Sequence, residues 1–332
     1  MTPPVFEIEN RLYDELERGK RRFVLSAPTG SGKSTGLPVM LLRKLGGRIL
    51  VLQPRRVAAR MLAKSVGKLF GMREEVGWHV RFEKRYGEDT KIVFLTEGIL
   101  ARMLLADPQL KGVSAVVFDE FHERNIYADV SLALALRTQK NLRPDLAIAV
   151  CSASMDSSAL REYLGGEGEC AEFSCGSRMY ELDISYAPPR SRDCAVWDNA
   201  CEQFEKLAKT SDDGNFLIFM PGAYEISRTI GKICKSPAAR GFEVLALHGE
   251  LPPGEQDRVL SESSKRKVIV STNVAETSLT IDGIKFVIDS GLARVARYDP
   301  ARGVNTLLTE RISLASAAQR NIGHASKRRD KK

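Results

Sequence analysis

Short apolar runs rich in β-branched residues recur along the chain, separated by longer stretches in which apolar positions return every three or four residues. The short runs predict strands at Phe23–Ala27, Ile49–Leu52, Ile92–Thr96, Ala115–Asp119 and Leu146–Ser152. After a gap come Phe216–Met220, Glu243–Leu247, Lys267–Thr272 and Phe286–Asp289. The longer stretches predict helices at Arg56–Phe70, Asn125–Lys140, Asp156–Leu164 and Val196–Thr210. Segments such as Ala115-Val-Val-Phe118 and Val268-Ile-Val270 are apolar on both faces, as strands buried on both sides must be. Strand–helix alternation of this kind predicts an α/β fold of two tandem domains, each a parallel sheet with helices on both faces. The alternation falters between Gly165 and Arg192, a stretch rich in glycine and proline, which places the domains at 1–178 and 179–332. Ala293–Arg297 and Gly303–Leu308 flank a Tyr-Asp-Pro-Ala-Arg turn, which predicts a hairpin standing off the second sheet.

Composition narrows the class. Of 332 residues, 43% are hydrophobic and 28% charged, ordinary for a soluble globular chain of two domains. No apolar run approaches the roughly 20 residues of a membrane span, and Met1–Asn10 lacks a secretory pattern, so a cytoplasmic monomer is expected. The six cysteines form no CxxC pair and the four histidines are scattered, which favours reduced core thiols over disulfides or a zinc site. Half of the net charge of +8 lies in the last six residues, five basic and one acidic. The remainder is only mildly basic, compatible with one phosphate-binding groove but not with a surface coated in positive charge.

The strongest local chemistry is Ala27-Pro-Thr29-Gly30-Ser31-Gly32-Lys33-Ser34-Thr35, between a predicted strand and a predicted helix. Glycines let the backbone curl so that successive N–H groups converge on phosphate oxygens, and the helix N-terminus adds positive partial charge. In this phosphate loop Thr29 to Thr35 would cradle ATP, with Lys33 on the β and γ phosphates and Ser34 on Mg²⁺. Ala27 stands where the general pattern has its first glycine. A second acidic element is required, and Ala115-Val-Val-Phe-Asp119-Glu120 supplies it: Asp119 for Mg²⁺, Glu120 to orient and deprotonate water.

Asp119-Glu-Phe-His-Glu-Arg124 resembles the motif that names the DEAH-box helicases of superfamily 2, with Phe121 in place of the usual alanine. Further segments are similar to that family's motifs in the same order. Leu52–Arg60 looks like motif Ia, Thr96–Leu100 like Ib, Ser152-Ala-Ser154 like III, Leu217–Gly222 like IV, and Ser271–Gly283 like V. Together with the segment 293–311, the phenylalanine variant looks most like the bacterial HrpB-type members. The resemblance implies two RecA-like domains, ATP and Mg²⁺ as cofactors, and RNA as partner. It implies catalytic roles for Lys33, Glu120, His122 and Gln319, with Glu120 also at the metal, and Asp282 on the nucleotide ribose. Arg55, Arg56, Arg81, Thr96 and Thr272 would hold the RNA backbone, Arg81 from a segment, Gly77–Glu83, similar to the family's hook-turn.

Motif VI departs from that pattern. Gln319-Arg320 begins it, but Gly323 and Ser326 stand where two arginine fingers belong, and the chain is read as truncated within the motif. Three readings follow: a helicase ATPase whose hydrolysis is impaired, a non-enzymatic nucleotide-dependent RNA binder, or another P-loop enzyme such as a kinase or transporter ATPase. Motifs Ia, IV and V argue against the last.

Overall fold

A computed structural model describes residues 3–28, 30–153, 157–176, 183–188, 191, 194–276, 281 and 283–322. The chain divides into two compact units, 1–178 and 179–332.

In the first unit the strands are β1 (Arg22–Ser26), β2 (Arg48–Gln53), β3 (Val76–Val80), β4 (Glu83–Arg85), β5 (Ile92–Thr96), β6 (Val113–Phe118), β7 (Ala147–Ser152) and β8 (Cys170–Ser174). They form one sheet in the order β4-β3-β5-β2-β6-β7-β1-β8, parallel except for the edge pair β3–β4. Successive residues of each central strand serve different cores. Phe23, Leu25, Ile49 and Val51 meet α1 (Glu9–Glu17), α2 (Lys33–Leu45) and α3 (Arg56–Leu69) on one face. Val24, Leu50 and Leu52 join Leu100 of α4 (Glu97–Ala106), Leu132 of α5 (Ile126–Asn141) and Leu160 of α6 (Ser157–Tyr163) on the other. A period of two with both faces apolar is what a helix-covered parallel sheet requires.

Three strands were not anticipated. β8 lies in the glycine-rich stretch read as the junction, just after the short α7 (Gly166–Glu169). β3 and β4 fold Gly77–Glu83 into an antiparallel hairpin, so the sheet is mixed rather than wholly parallel. Gly77 makes that pairing possible, since a Cβ there would meet the Arg85 carbonyl oxygen at 2.1 Å.

The second unit carries α8 (Val196–Ala208), β9 (Asn215–Phe219), α9 (Ala223–Ile233), β10 (Phe242–Leu247), α10 (Pro253–Leu260), β11 (Arg266–Ser271) and β12 (Ile284–Asp289). Its parallel sheet runs β10-β11-β9-β12. Phe204 of α8 and Ile226 and Ile233 of α9 pack on Phe216, Ile218, Val268 and Val270. The expected hairpin forms as a separate two-stranded ribbon, β13 (Leu292–Asp299) against β14 (Val304–Arg311), before α11 (Leu314–Ile322).

Candidate functional site

In the first unit the C-terminal ends of parallel strands gather the chemistry along one edge of the sheet, the usual place for ligands in such folds. After β1 the chain turns through Gly30 and Gly32, with φ of +82° and +85°, left-handed values that side chains rarely adopt. Gly32 caps α2, accepting from the Gly36 N–H at 2.7 Å. The short 3₁₀ turn Pro4–Ile8 covers this loop. The Val5 N–H donates to the Ser31 carbonyl at 3.0 Å, and a Cβ on Gly32 would meet Pro3 at 2.5 Å. The backbone therefore has the curl the motif implied, closely packed from one side.

Lys33 opens α2 and is only 3% exposed, with its Nζ 3.1 Å from Glu120 Oε1. Burial alone would push the ammonium down, but the carboxylates of Glu120 and Asp119 outweigh it and hold its pKa above the ordinary lysine value. Asp119, directly after β6, is 5% exposed. Burial, and then the neighbouring charge of Glu120, raises its carboxyl above the usual range; Lys33 and hydrogen bonds from Ser34 and Gln53 oppose this. Gln53 Nε2 donates to Asp119 Oδ2 at 2.6 Å, and the Glu120 N–H donates to Oδ1 at 3.0 Å. Glu120 is held at φ +51°, a strained value for a non-glycine residue, and this turn aims its side chain back at Lys33. One ammonium thus faces two buried carboxylates and a serine hydroxyl. Surplus negative charge beside a phosphate-type loop suits a divalent cation arriving with phosphates. Among the described residues no three His, Cys, Asp or Glu side chains cluster as a metal site of their own.

His122, in the 3₁₀ turn Phe121–Glu123, has Nδ1 3.5 Å from Glu120 Oε2 and accepts from the Ala153 N–H at 3.4 Å. It therefore ties this turn to the chain leaving β7. Arg55, the extended N-cap of α3, pairs with Glu123 at 3.1 Å, whereas Arg56 is exposed. Thr96 caps α4 without a hydrogen bond from its own hydroxyl. Arg81 is exposed at the tip of the β3–β4 hairpin. In the second unit the Thr272 hydroxyl accepts from the Val274 N–H at 3.4 Å, capping a 3₁₀ turn. Gln319 lies half-buried on α11. Thr29, Ser154, Asp282, Gly323 and Ser326 lie outside the described residues.

Sequence reasoning assigned no role to three participants. Gln53 is a polar side chain ending a buried strand, and that anomaly was the available signal. Glu97 follows Thr96; burial raises its carboxyl, with a hydrogen bond from Asn125 opposing and the charge of Glu123 adding. Arg320 is 1% exposed and pairs with Glu276 at 2.8 Å and Asp289 at 2.7 Å, over the ring of Phe219. It binds the motif V segment to β12 from inside the second unit.

This loop, acidic strand end and pair of sheets define the class. The DEAD/DEAH box helicase model matches residues 7–162 and the helicase conserved C-terminal domain residues 199–313. The chain belongs to the DEAH-box helicases, with two tandem RecA-like domains.

Within the class it is of the HrpB type. It is 39% identical over 306 residues to the ATP-dependent RNA helicase HrpB of Escherichia coli (strain K12), covering 90% of this chain and 37% of that one. A crystal structure of Escherichia coli DEAH/RHA helicase HrpB superposes with a TM-score of 0.85 at 35% identity, over 98% of this chain and 41% of that one. The probable ATP-dependent RNA helicase DHX35 of Homo sapiens is 34% identical over 340 residues, 96% of this chain and 48% of its own. The chain thus spans less than half the length of these relatives. No helix among the described residues is long and apolar enough to cross a membrane.

Proposed function

We propose that the chain is the ATP-driven motor core of a helicase acting on RNA. The observation that carries this is the buried cluster of Lys33, Asp119, Glu120 and Ser34 at the mouth of a left-handed glycine loop. Thr29 to Thr35 cradle the phosphates through backbone N–H groups, and Asp282 accepts from the ribose. Phosphate oxygens compete with Glu120 for Lys33, and the released Glu120 takes a proton from the attacking water. Ser34 and Asp119 would hold Mg²⁺, which when bound would supply charge neutralisation at the phosphates. His122, joined to the chain after β7, and Gln319 relay the state of the nucleotide. Arg55, Arg56, Arg81, Thr96 and Thr272 hold the strand by its backbone, which carries no base information, so sequence preference is weak.

RNA, rather than DNA, is favoured by the names of two relatives, the ATP-dependent RNA helicase HrpB and the probable ATP-dependent RNA helicase DHX35. Motif VI supports a finer proposal. Gly323 and Ser326 bring no charge to the γ-phosphoryl group, and an arginine finger contributes on the order of 10³–10⁵ in rate. Binding and turnover should separate: near-normal ATP affinity, with hydrolysis close to background even with RNA. The test compares RNA-stimulated ATPase activity of this chain with that of Gly323→Arg/Ser326→Arg. Recovery of turnover in the variant supports the reading; an ordinary enzymatic rate in the unmodified chain refutes the part assigned to motif VI. Failure of either chain to bind Mg·ATP refutes the motor itself and leaves a nucleotide-independent binder.

A further inference from the structure

We propose that Phe82 is a stacking platform for a base of single-stranded nucleic acid. The inference rests on the helicase reading above and deepens it. Arg81 and Phe82 form the two-residue connection between β3 and β4, in which Val80 pairs with Glu83. Of the two, only Phe82 has a positive φ, +68°, at the second turn position, where glycine is the unstrained choice. A bulky aromatic residue there costs conformational energy that glycine would not, and such strain concentrates where function requires it. Its ring contributes nothing to the core: Phe82 is 88% exposed. The Arg81 guanidinium sits 4.7 Å from the ring centroid, and at that exposure another part of the ring surface remains open.

The mount is rigid. Beneath the tip, Trp78 is 5% exposed and donates from Nε1 to Glu83 at 2.9 Å, while the Arg85 guanidinium lies 5.1 Å from its ring. Parallel register then places the tip. His79 pairs with Leu95, so β3 ends beside Thr96, and Thr96 in turn pairs with Gln53, two residues before Arg55. Phe82, Thr96 and Arg55 therefore follow three neighbouring strands along one edge of the sheet, where a strand gripped by its phosphates would pass the open ring. Arg81, Lys84 and Arg85 are all exposed around the tip. That cationic surround favours nucleic acid over an apolar protein partner, since bases stack on aromatic faces while phosphates meet the charges.

The experiment measures the affinity of the full chain for labelled oligouridine by fluorescence anisotropy, and repeats it with an abasic oligomer of the same length. Phe82→Gly should keep or raise the melting temperature, because it relieves the left-handed strain, yet weaken oligouridine binding roughly 5- to 150-fold. Phe82→Trp should retain affinity and gain an emission component that oligouridine quenches and the abasic oligomer does not. With the abasic oligomer the wild type and Phe82→Gly should bind alike. Unchanged oligouridine affinity in Phe82→Gly overturns the stacking role while leaving the helicase reading intact, and points to a protein contact. Equal losses on both oligomers also overturn it, since the ring would then act through the backbone. If the wild type binds neither oligomer, the nucleic-acid reading beneath the proposal falls with it.

Discussion

Replacing Lys33 by methionine, which keeps the length and removes the charge, should destabilise the first unit in a pH-dependent way. The ammonium lies 3.1 Å from the Glu120 carboxylate, and both residues are at least 97% buried. Its loss leaves two sequence-adjacent carboxylates in a dry environment. Breaking a buried pair by removing one partner costs about 3–5 kcal/mol. For a unit of this size each kcal/mol moves the midpoint by about 2–4 °C, which gives a drop of about 6–20 °C. Asp119 is already raised by burial and by Glu120, and Lys33 is one of the groups opposing that rise. Without it the folded state holds a proton that the unfolded chain releases. Stability then falls as pH rises between the unfolded and folded carboxyl pKa values, so the deficit is largest at alkaline pH and shrinks toward acid. Hydrogen exchange followed in β1 and β6 across pH reports on this unit without interference from the second. Adding Asp119→Asn to the variant should recover most of the loss. A midpoint within a degree or two of wild type at alkaline pH, or a deficit that ignores pH, would refute the reasoning.

Lys33→Ala should abolish Mg·ATP binding measured by calorimetry, and unchanged affinity would remove the phosphate-loop assignment. RNA affinity should fall steeply with salt and vary little among unstructured sequences, and deleting residues 327–332 should weaken non-specific binding, because half of the net charge of +8 lies there; a flat salt dependence counts against backbone recognition. Arg320→Ala should cost the second unit about 3–5 kcal/mol, since it strands Glu276 and Asp289 without their buried partner. Denaturant unfolding of that unit checks the last, and a loss under about 1 kcal/mol would show the two ion pairs to be incidental.

Strands β1, β2, β5, β6 and β7 were legible because each is apolar on both faces, a pattern with few alternatives. β3 was not: Gly77 and His79 interrupt it, and its place in the sheet depends on β4 approaching a missing Cβ, which no periodicity records. β8 hid among glycines at 165, 166 and 168. In the site, the loop glycines were readable because their chemistry is their backbone freedom. The pairing of Lys33 with Glu120 was not, since it depends on a left-handed turn at a glutamate, a conformation its residue type disfavours. Arg320 was legible only as a motif letter. Its two carboxylate partners lie 44 and 31 residues away, and only the sheet brings them together.

These contrasts bear on how the proposed motor is restrained. A glutamate free to act as base would need only to be near the phosphates, but Glu120, the proposed base, is bent at φ +51° onto Lys33, the proposed phosphate ligand. Under the proposed reading one contact therefore holds both groups, and neither is available until an anion competes for Lys33. The competition is favourable only if the incoming ligand also answers the charge of Asp119, since displacing Glu120 leaves two buried carboxylates exposed to one another. A phosphate without a divalent cation worsens that balance, and the cation alone leaves the Lys33–Glu120 pair closed. The geometry thus predicts that nucleotide and Mg²⁺ bind cooperatively, with each raising the affinity for the other by the same factor. Calorimetric titration of ATP with and without Mg²⁺, and of Mg²⁺ with and without ATP, measures both sides, corrected for Mg·ATP formation in solution. Independent affinities would mean that the ion pair does not gate the site.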